Sequence, residues 1–120
     1  VLKLSGPDLD WGELQKTFIN TARLKTLQQA DSIVVHELKS AGLYYKIWQC
    51  PVVLLPFGIK EQPESIVIRP IISREAMTGQ AFLLPELVIK KIINKLKRLP
   101  KISYIFYDLT NKPPGTIEWE

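Results

Sequence analysis

Between Pro85 and Leu99, the apolar residues Val88, Ile89, Ile92, Ile93, Leu96 and Leu99 fall on one stripe of a 3.6-residue helix, while Lys90, Lys91, Lys95, Lys97 and Arg98 mainly occupy the remainder. A helix with one dry face requires an apolar layer to cover it, and this requirement shapes the rest of the chain. Pro85 suits the first turn, Glu86 complements the positive end of the helix dipole, and Pro100 ends the pattern.

The covering layer is found in β-branched and aromatic runs. Ile102 to Asp108 is a strand by content. Ile47 to Leu55 contains Val52-Val53-Leu54-Leu55, with Pro51 marking a strand edge or bulge, and Ser65 to Ile72 repeats the theme around Pro70. A loop around Gly58 to Pro63 joins these two strands. From Thr21 the positions Leu24, Leu27, Ala30, Ile33, Val34 and Leu38 keep helical spacing, with Asp31 offering a second cap and Gly42 a stop. The first ten residues offer only the turn-forming Ser5-Gly6-Pro7-Asp8. The order helix, strand, strand, helix, strand, tail strand predicts an α+β fold, a small β-sheet with helices packed on one face.

At 120 residues, 46% hydrophobic and 23% charged, the chain fits one domain with its own core. No apolar run reaches the roughly 18 residues of a membrane span, and no signal-peptide pattern opens the chain, so an intracellular, cytoplasmic protein is expected. The single Cys50 cannot form an internal disulfide, and with His36 alone no metal site is expected. The +4 charge, concentrated between Glu86 and Lys112, suits an anionic partner, but a solvated helix face is the commoner explanation and is the reading kept.

The last residues, Lys112-Pro113-Pro114-Gly115-Thr116-Ile117-Glu118-Trp119-Glu120, combine a cation on a stiff diproline with an acidic aromatic end. Both Lys112 and Pro113 precede a proline and are therefore extended, Gly115 permits a close approach, and Thr116 to Glu120 reads as a short β segment. Such an end is built to be held against something.

From Asp108 onward this ending closely resembles the C-terminus of the GMP synthase family, glutamine-hydrolysing enzymes that aminate XMP. Ala41-Gly42-Leu43-Tyr44, Lys46-Ile47-Trp48-Gln49, Leu55-Pro56, Ile68-Arg69-Pro70, Met77-Thr78 and Lys101-Ile102-Ser103 resemble further landmarks of the same C-terminal domain in the same order, over roughly Leu24 to Glu120. The resemblance implies a GMP synthase C-terminal dimerization domain over 21–120, with 1–20 an N-terminal extension or fragment remnant. It implies that Gln49, Lys112, Ile117 and Glu118 bind XMP, and that the chain forms a homodimer. It also implies that ATP-pyrophosphatase and glutamine amidotransferase domains are supplied by the same or another chain. No catalytic residue and no cofactor belong to this segment; ATP and Mg serve the complete enzyme. The Ser-Gly-Gly-type loop for pyrophosphate and the Cys-His-Glu amidotransferase set are absent from these 120 residues.

Two departures accompany the resemblance. Eight residues before Lys-Pro-Pro, where many family members carry an arginine that reaches the phosphate, this chain has Tyr104, and Glu75-Ala76-Met77-Thr78-Gly79 stands for the usual Asp-Phe-Met-Thr-Ala. A catalytically inactive structural or regulatory dimer is therefore the alternative. A nucleic-acid module is disfavoured because no Gly-x-x-Gly loop or aromatic RNA motif appears. Arg69, a charge inside an apolar strand, calls for a carboxylate partner within the chain or across subunits. Cys50 reads as a structural thiol, His36 as a helix-face residue, and Tyr104, Phe106 and Tyr107 as core.

Overall fold

The computed structural model describes residues 1–17, 20–47, 49–75 and 78–110. Four strands form its main sheet, in the order β1 (Leu2–Ser5), β8 (Ile102–Tyr107), β5 (Glu64–Ile68), β3 (Val52–Leu55). β5 and β8 are parallel, and the two outer pairings are antiparallel. A parallel pair cannot be closed by a tight turn. The chain accordingly leaves β5 through a hairpin of β6 (Ile71–Glu75) and β7 (Thr78–Ala81), then returns to β8 through helix α2 (Glu86–Leu96). A two-stranded pair of β2 (Glu13–Leu14) and β4 (Phe57–Gly58) completes the architecture.

Helix α1 (Thr21–Ser40) begins where the Asn20 side chain accepts from the Arg23 N–H at 2.9 Å. It runs through Asp31 without a second cap and ends at Ala41. Gly42, at φ +72°, supplies the left-handed residue that lets the Leu43 N–H reach the Leu38 carbonyl at 2.9 Å. Helix α2 is shorter than its apolar stripe suggested. Pro85 is its N-cap, and the last helical residue is Leu96, with Leu99 reached through a turn.

Both helices lie on one face of the sheet. Ala30, Val34 and Leu38 from α1 and Val88, Ile92 and Leu96 from α2 meet Ile66, Ile68, Ile102, Ile105 and Tyr107 in one buried cluster. On the opposite face, Val67, Tyr104 and Phe106 form a second cluster with Val53, Leu55, Phe57 and Ile59. Alternation along each strand assigns these faces, and one irregularity sits between Glu64 and Ser65, where Ile102 and Tyr104 are their successive partners on β8. That extra residue, Ser103, donates to the Glu64 carbonyl and allows both Ile102 and Ile105 to face the helices. The α+β architecture with helices on one face is therefore present.

The prolines act as punctuation. Pro51 precedes β3, and Pro70 separates β5 from β6, dividing the Ser65 to Ile72 run into two strands belonging to different sheets. The opening residues, for which the sequence carries only a turn signature, add β1 to the edge of β8. Gly6, at φ +125°, lies so close to β8 that a Cβ there would meet the Ser103 carbonyl oxygen at 2.6 Å. Beyond it, the Tyr104 hydroxyl donates to the Asp8 carbonyl at 2.7 Å.

Candidate functional site

Of the four sequence candidates, Gln49 falls within the described residues, beside the end of β5. Gln49 lies outside any named strand but exchanges both backbone bonds with Ile71, its N–H donating to the Ile71 carbonyl at 3.1 Å and its carbonyl accepting from the Ile71 N–H at 2.7 Å. Its side chain is exposed, leaving the amide available on the surface. Two residues away, the Arg69 N–H donates to the Pro51 carbonyl at 3.1 Å. One side of the segment 68–71 is thus stitched to the Gln49–Pro51 stretch.

The other side holds the end of β8. The Asp108 N–H donates to the Ile68 carbonyl at 3.0 Å, extending the β5–β8 ladder by one bond. Asp108 is 2% exposed, and its Oδ1 accepts from the Thr110 N–H at 2.8 Å, forming a turn at the point where the chain leaves the sheet. The guanidinium of Arg69, itself 5% exposed, donates through Nη2 to the Thr110 carbonyl at 2.7 Å and lies with Nε 3.8 Å from Asp108 Oδ2. The carboxylate required by Arg69 therefore comes from within the chain. Among the described residues, Nε itself has no hydrogen-bond partner.

This arrangement places Gln49 and Thr110, the last described residue before the tail, on opposite flanks of one four-residue segment. Lys112, Ile117 and Glu118 lie outside the described residues, as do the tail strand and Trp48. Sequence reasoning singled out Arg69 through the cost of burying its charge but not Asp108 or Thr110, whose roles depend on strand pairing.

Tyr104 does not reach this end of the sheet. Its ring is fully buried on the face away from the helices, stacked on Phe106 at a centroid distance of 5.7 Å and against Phe57 at 5.2 Å. Tyr107, on the helix face, donates its hydroxyl to the Phe82 carbonyl and accepts from the Leu84 N–H at 3.0 Å, fixing the link from β7 to α2. Its phenol is pushed up to about 12, mainly by burial. The Cys50 thiol is also pushed up to about 12 by burial, partly offset by the Arg69 backbone N–H, which makes it a poor nucleophile. His36 is exposed on α1.

A cleft of about 530 Å³ opens at the opposite end of the parallel strands, beside Glu64 and Lys101 and the start of α1. Lys16, Arg23 and Lys25 line it, but Arg23 is engaged by Glu64 at 2.8 Å. On α2, Lys90 pairs with Glu86 at 3.3 Å in solvent, and Lys95 reaches across to Glu37 on α1. The remaining Lys91, Lys97 and Arg98 are exposed, as a solvated face requires. Among the described residues, no group of His, Cys, Asp or Glu is placed to hold a metal ion, and no helix is long and apolar enough to cross a membrane.

A family profile described as GMP synthase C terminal domain matches residues 36–119, from the last turns of α1 through β8 and the tail. The chain belongs to the GMP synthase C-terminal domain family. Among curated relatives, the probable glutamine-hydrolyzing GMP synthase of Leptospira interrogans serovar copenhageni is 53% identical over 94 residues, 78% of this chain and 16% of that protein. The GMP synthase of Mycobacterium leprae is 43% identical over 111 residues, and that of Thermobifida fusca 42% over 111, each covering 85% of this chain and 21% of the relative. The chain thus spans about a fifth or less of the GMP synthases it matches. In this chain, the 68–71 segment links Gln49 to Thr110.

Proposed function

We propose that the chain contributes the XMP-binding edge of a GMP synthase, acting in purine nucleotide biosynthesis. Gln49 and the tail residues Lys112, Ile117 and Glu118 contact the nucleotide. Family membership supports this reading, and the observation that carries it is the junction at 68–71, which ties Gln49 and the tail root to one rigid segment.

The chemistry of the four residues suits a purine mononucleotide. The Lys112 ammonium pairs with the phosphate dianion in a charge-assisted contact. Gln49 donates and accepts toward phosphate, sugar or base, and Glu118 accepts from a ribose hydroxyl or a base N–H. Ile117 packs against the nucleotide or adds a backbone contact. The base carbonyl then faces an ATP-activating domain supplied in the same or another chain, where its oxygen is adenylylated and displaced by ammonia released from glutamine. This domain contributes positioning, which lowers the entropic part of the barrier.

Pairing with a second copy belongs to the same proposal. β3 is a sheet edge, and its Val52 to Leu54 line an apolar groove with Leu24 and Leu27 of α1. Sedimentation at increasing protein concentration tests this pairing: a dimer is expected, and a strict monomer at high micromolar concentration removes that part.

Calorimetric titration with XMP tests nucleotide binding. Saturable heat, with affinity at least about tenfold weaker in Lys112→Ala, supports the site. A specific observation favours a second reading, a structural or regulatory module without catalysis: Tyr104, at the family arginine position, is committed to the Asp8 carbonyl and the buried aromatic face. Under that reading, XMP at millimolar concentration gives no heat.

A further inference from the structure

We infer that the cleft at the start of α1 binds a small molecule carrying a chain of phosphates, held by Lys16, Arg23, Lys25 and Lys101. This site lies at the end of the parallel strands away from Gln49, and it does not rest on the XMP-binding reading above.

Charge is the first observation. Lys16, Arg23, Lys25 and Lys101 line this cavity of about 530 Å³, and Glu64 is the one acidic side chain that lines it among the described residues. Glu64 is already engaged, its Oε2 accepting from Arg23 Nε at 2.8 Å. The three lysines have no ion-pair partner among the described residues, in contrast to Lys90 and Lys95 on α2. Arg23 bonds through Nε alone. Its two Nη groups have no hydrogen-bond partner among the described residues, yet neither is sealed from solvent, so half of the guanidinium fork is open to a ligand.

The backbone supplies a second, independent observation. Lys101, at φ +69°, is the one non-glycine residue in the left-handed region among the described residues. A side chain there is strained where glycine would not be, and what the lysine adds in return is an ammonium group on the cleft. The Glu64 N–H donates to the Lys101 carbonyl at 3.0 Å, which ties this residue to the Arg23–Glu64 pair.

Volume and lining select the ligand. The cavity has the size of a small-molecule site, and a guanidinium fork flanked by ammonium groups matches phosphate oxygens. Cations drawn from the segment before α1, from its first turns and from the α2–β8 turn are met by several negative charges along a chain. The N-terminal end of α1, where Ala22 lines the cleft, adds the positive end of the helix dipole. Pro56, Pro63 and Leu99 form an apolar wall suited to an organic group attached to the phosphates.

The test titrates the 120-residue chain calorimetrically, at constant ionic strength, with tripolyphosphate and with UTP, which share a triphosphate and differ by a nucleoside. Saturable one-site binding in the submillimolar range is expected. Lys25→Ala and Lys101→Gly are each expected to weaken it about fivefold, as for loss of an exposed ion pair, and Lys112→Ala to leave it unchanged. Lys101→Gly is also expected to raise the Tm by relieving the left-handed backbone, so weaker binding there is not a symptom of lost stability. Amide shifts on ligand addition are expected at Ala22, Arg23 and Lys101. Tighter binding of UTP assigns the site to phosphate esters, and equal or weaker binding of UTP assigns it to inorganic polyphosphate.

Absence of saturable binding by both probes at millimolar concentration overturns the inference. Equal affinity in the unmodified chain, Lys25→Ala and Lys101→Gly does so too, as do amide shifts confined to Gln49 and Thr110. Binding of a dT oligonucleotide that both lysine variants weaken, with neither triphosphate probe saturating, replaces the small ligand with an extended polyanion. Failure of XMP to bind removes the functional reading above and leaves this cleft untouched.

Discussion

Tyr104 donates its hydroxyl to the Asp8 carbonyl at 2.7 Å, joining the central strand to the opening turn of the chain. Tyr104 is thus turned into the aromatic face and covered by residues from the N-terminal segment. Tyr104→Phe keeps the ring packing and removes one hydrogen bond. It is expected to lower unfolding free energy by about 1 kcal/mol in urea titrations.

An arginine at this position has a harsher outcome. Tyr104→Arg removes the ring that packs on Phe57 and Phe106 and draws a charged chain through that apolar cluster, with Asp8 and Asp10 near only its outer end. A loss of about 3 kcal/mol or more is expected by the same measurement. No gain in XMP affinity accompanies it.

The Glu37–Lys95 pair links the two helices. A side-chain hydrogen bond from Lys95, followed by the charges of Lys95, His36 and Lys91, outweighs burial and holds the Glu37 carboxyl below its usual value. A depressed folded pKa stabilises the fold above the unfolded value, about 4.3 for glutamate, and that contribution is lost as pH falls through the folded value. Chemical denaturation between about pH 5 and pH 3 is expected to show stability decreasing with acid, and Lys95→Met to reduce that dependence.

At the alkaline end the sign reverses. Cys50 and Tyr107, both pushed up to about 12, stay protonated in the fold after their unfolded counterparts, near about 8.5 and 10, have ionised. Their stabilising contribution is full below those unfolded values and is lost as pH rises toward the folded ones. At pH 8, alkylation of Cys50 by iodoacetamide is expected to be about a thousandfold or more slower than that of a free cysteine, and to become rapid in denaturant.

The core makes a simpler prediction. Ile66 has no exposure and lies between the two helices and the sheet. Ile66→Ala is expected to cost about 2 to 5 kcal/mol in thermal or urea unfolding.

What could be read directly from the sequence follows physical range. α2 and β8 were legible because a stripe of Val88, Ile92 and Leu96 and a run of aromatic residues each encode their environment locally. The α1 start and its glycine stop were legible for the same reason. β1, β2, β4 and β7 were not, since strands of two to four residues exist only through distant partners such as Phe106 for Lys3 and Gly58 for Glu13. The candidate site was legible in part. Gln49 and the tail came through family resemblance, and Arg69 through the penalty on a buried charge. That Asp108 and Thr110 receive it follows from the parallel pairing of β5 and β8, which nothing local announces.

The measurement that bears most directly on the central claim is an XMP titration of the unmodified chain beside Lys112→Ala, at constant pH and salt. Saturable binding by the first, weakened at least about tenfold in the second, is expected from loss of a phosphate ion pair. Equal affinity in the two chains, or no binding by either, would contradict a nucleotide role for this domain's C-terminal edge.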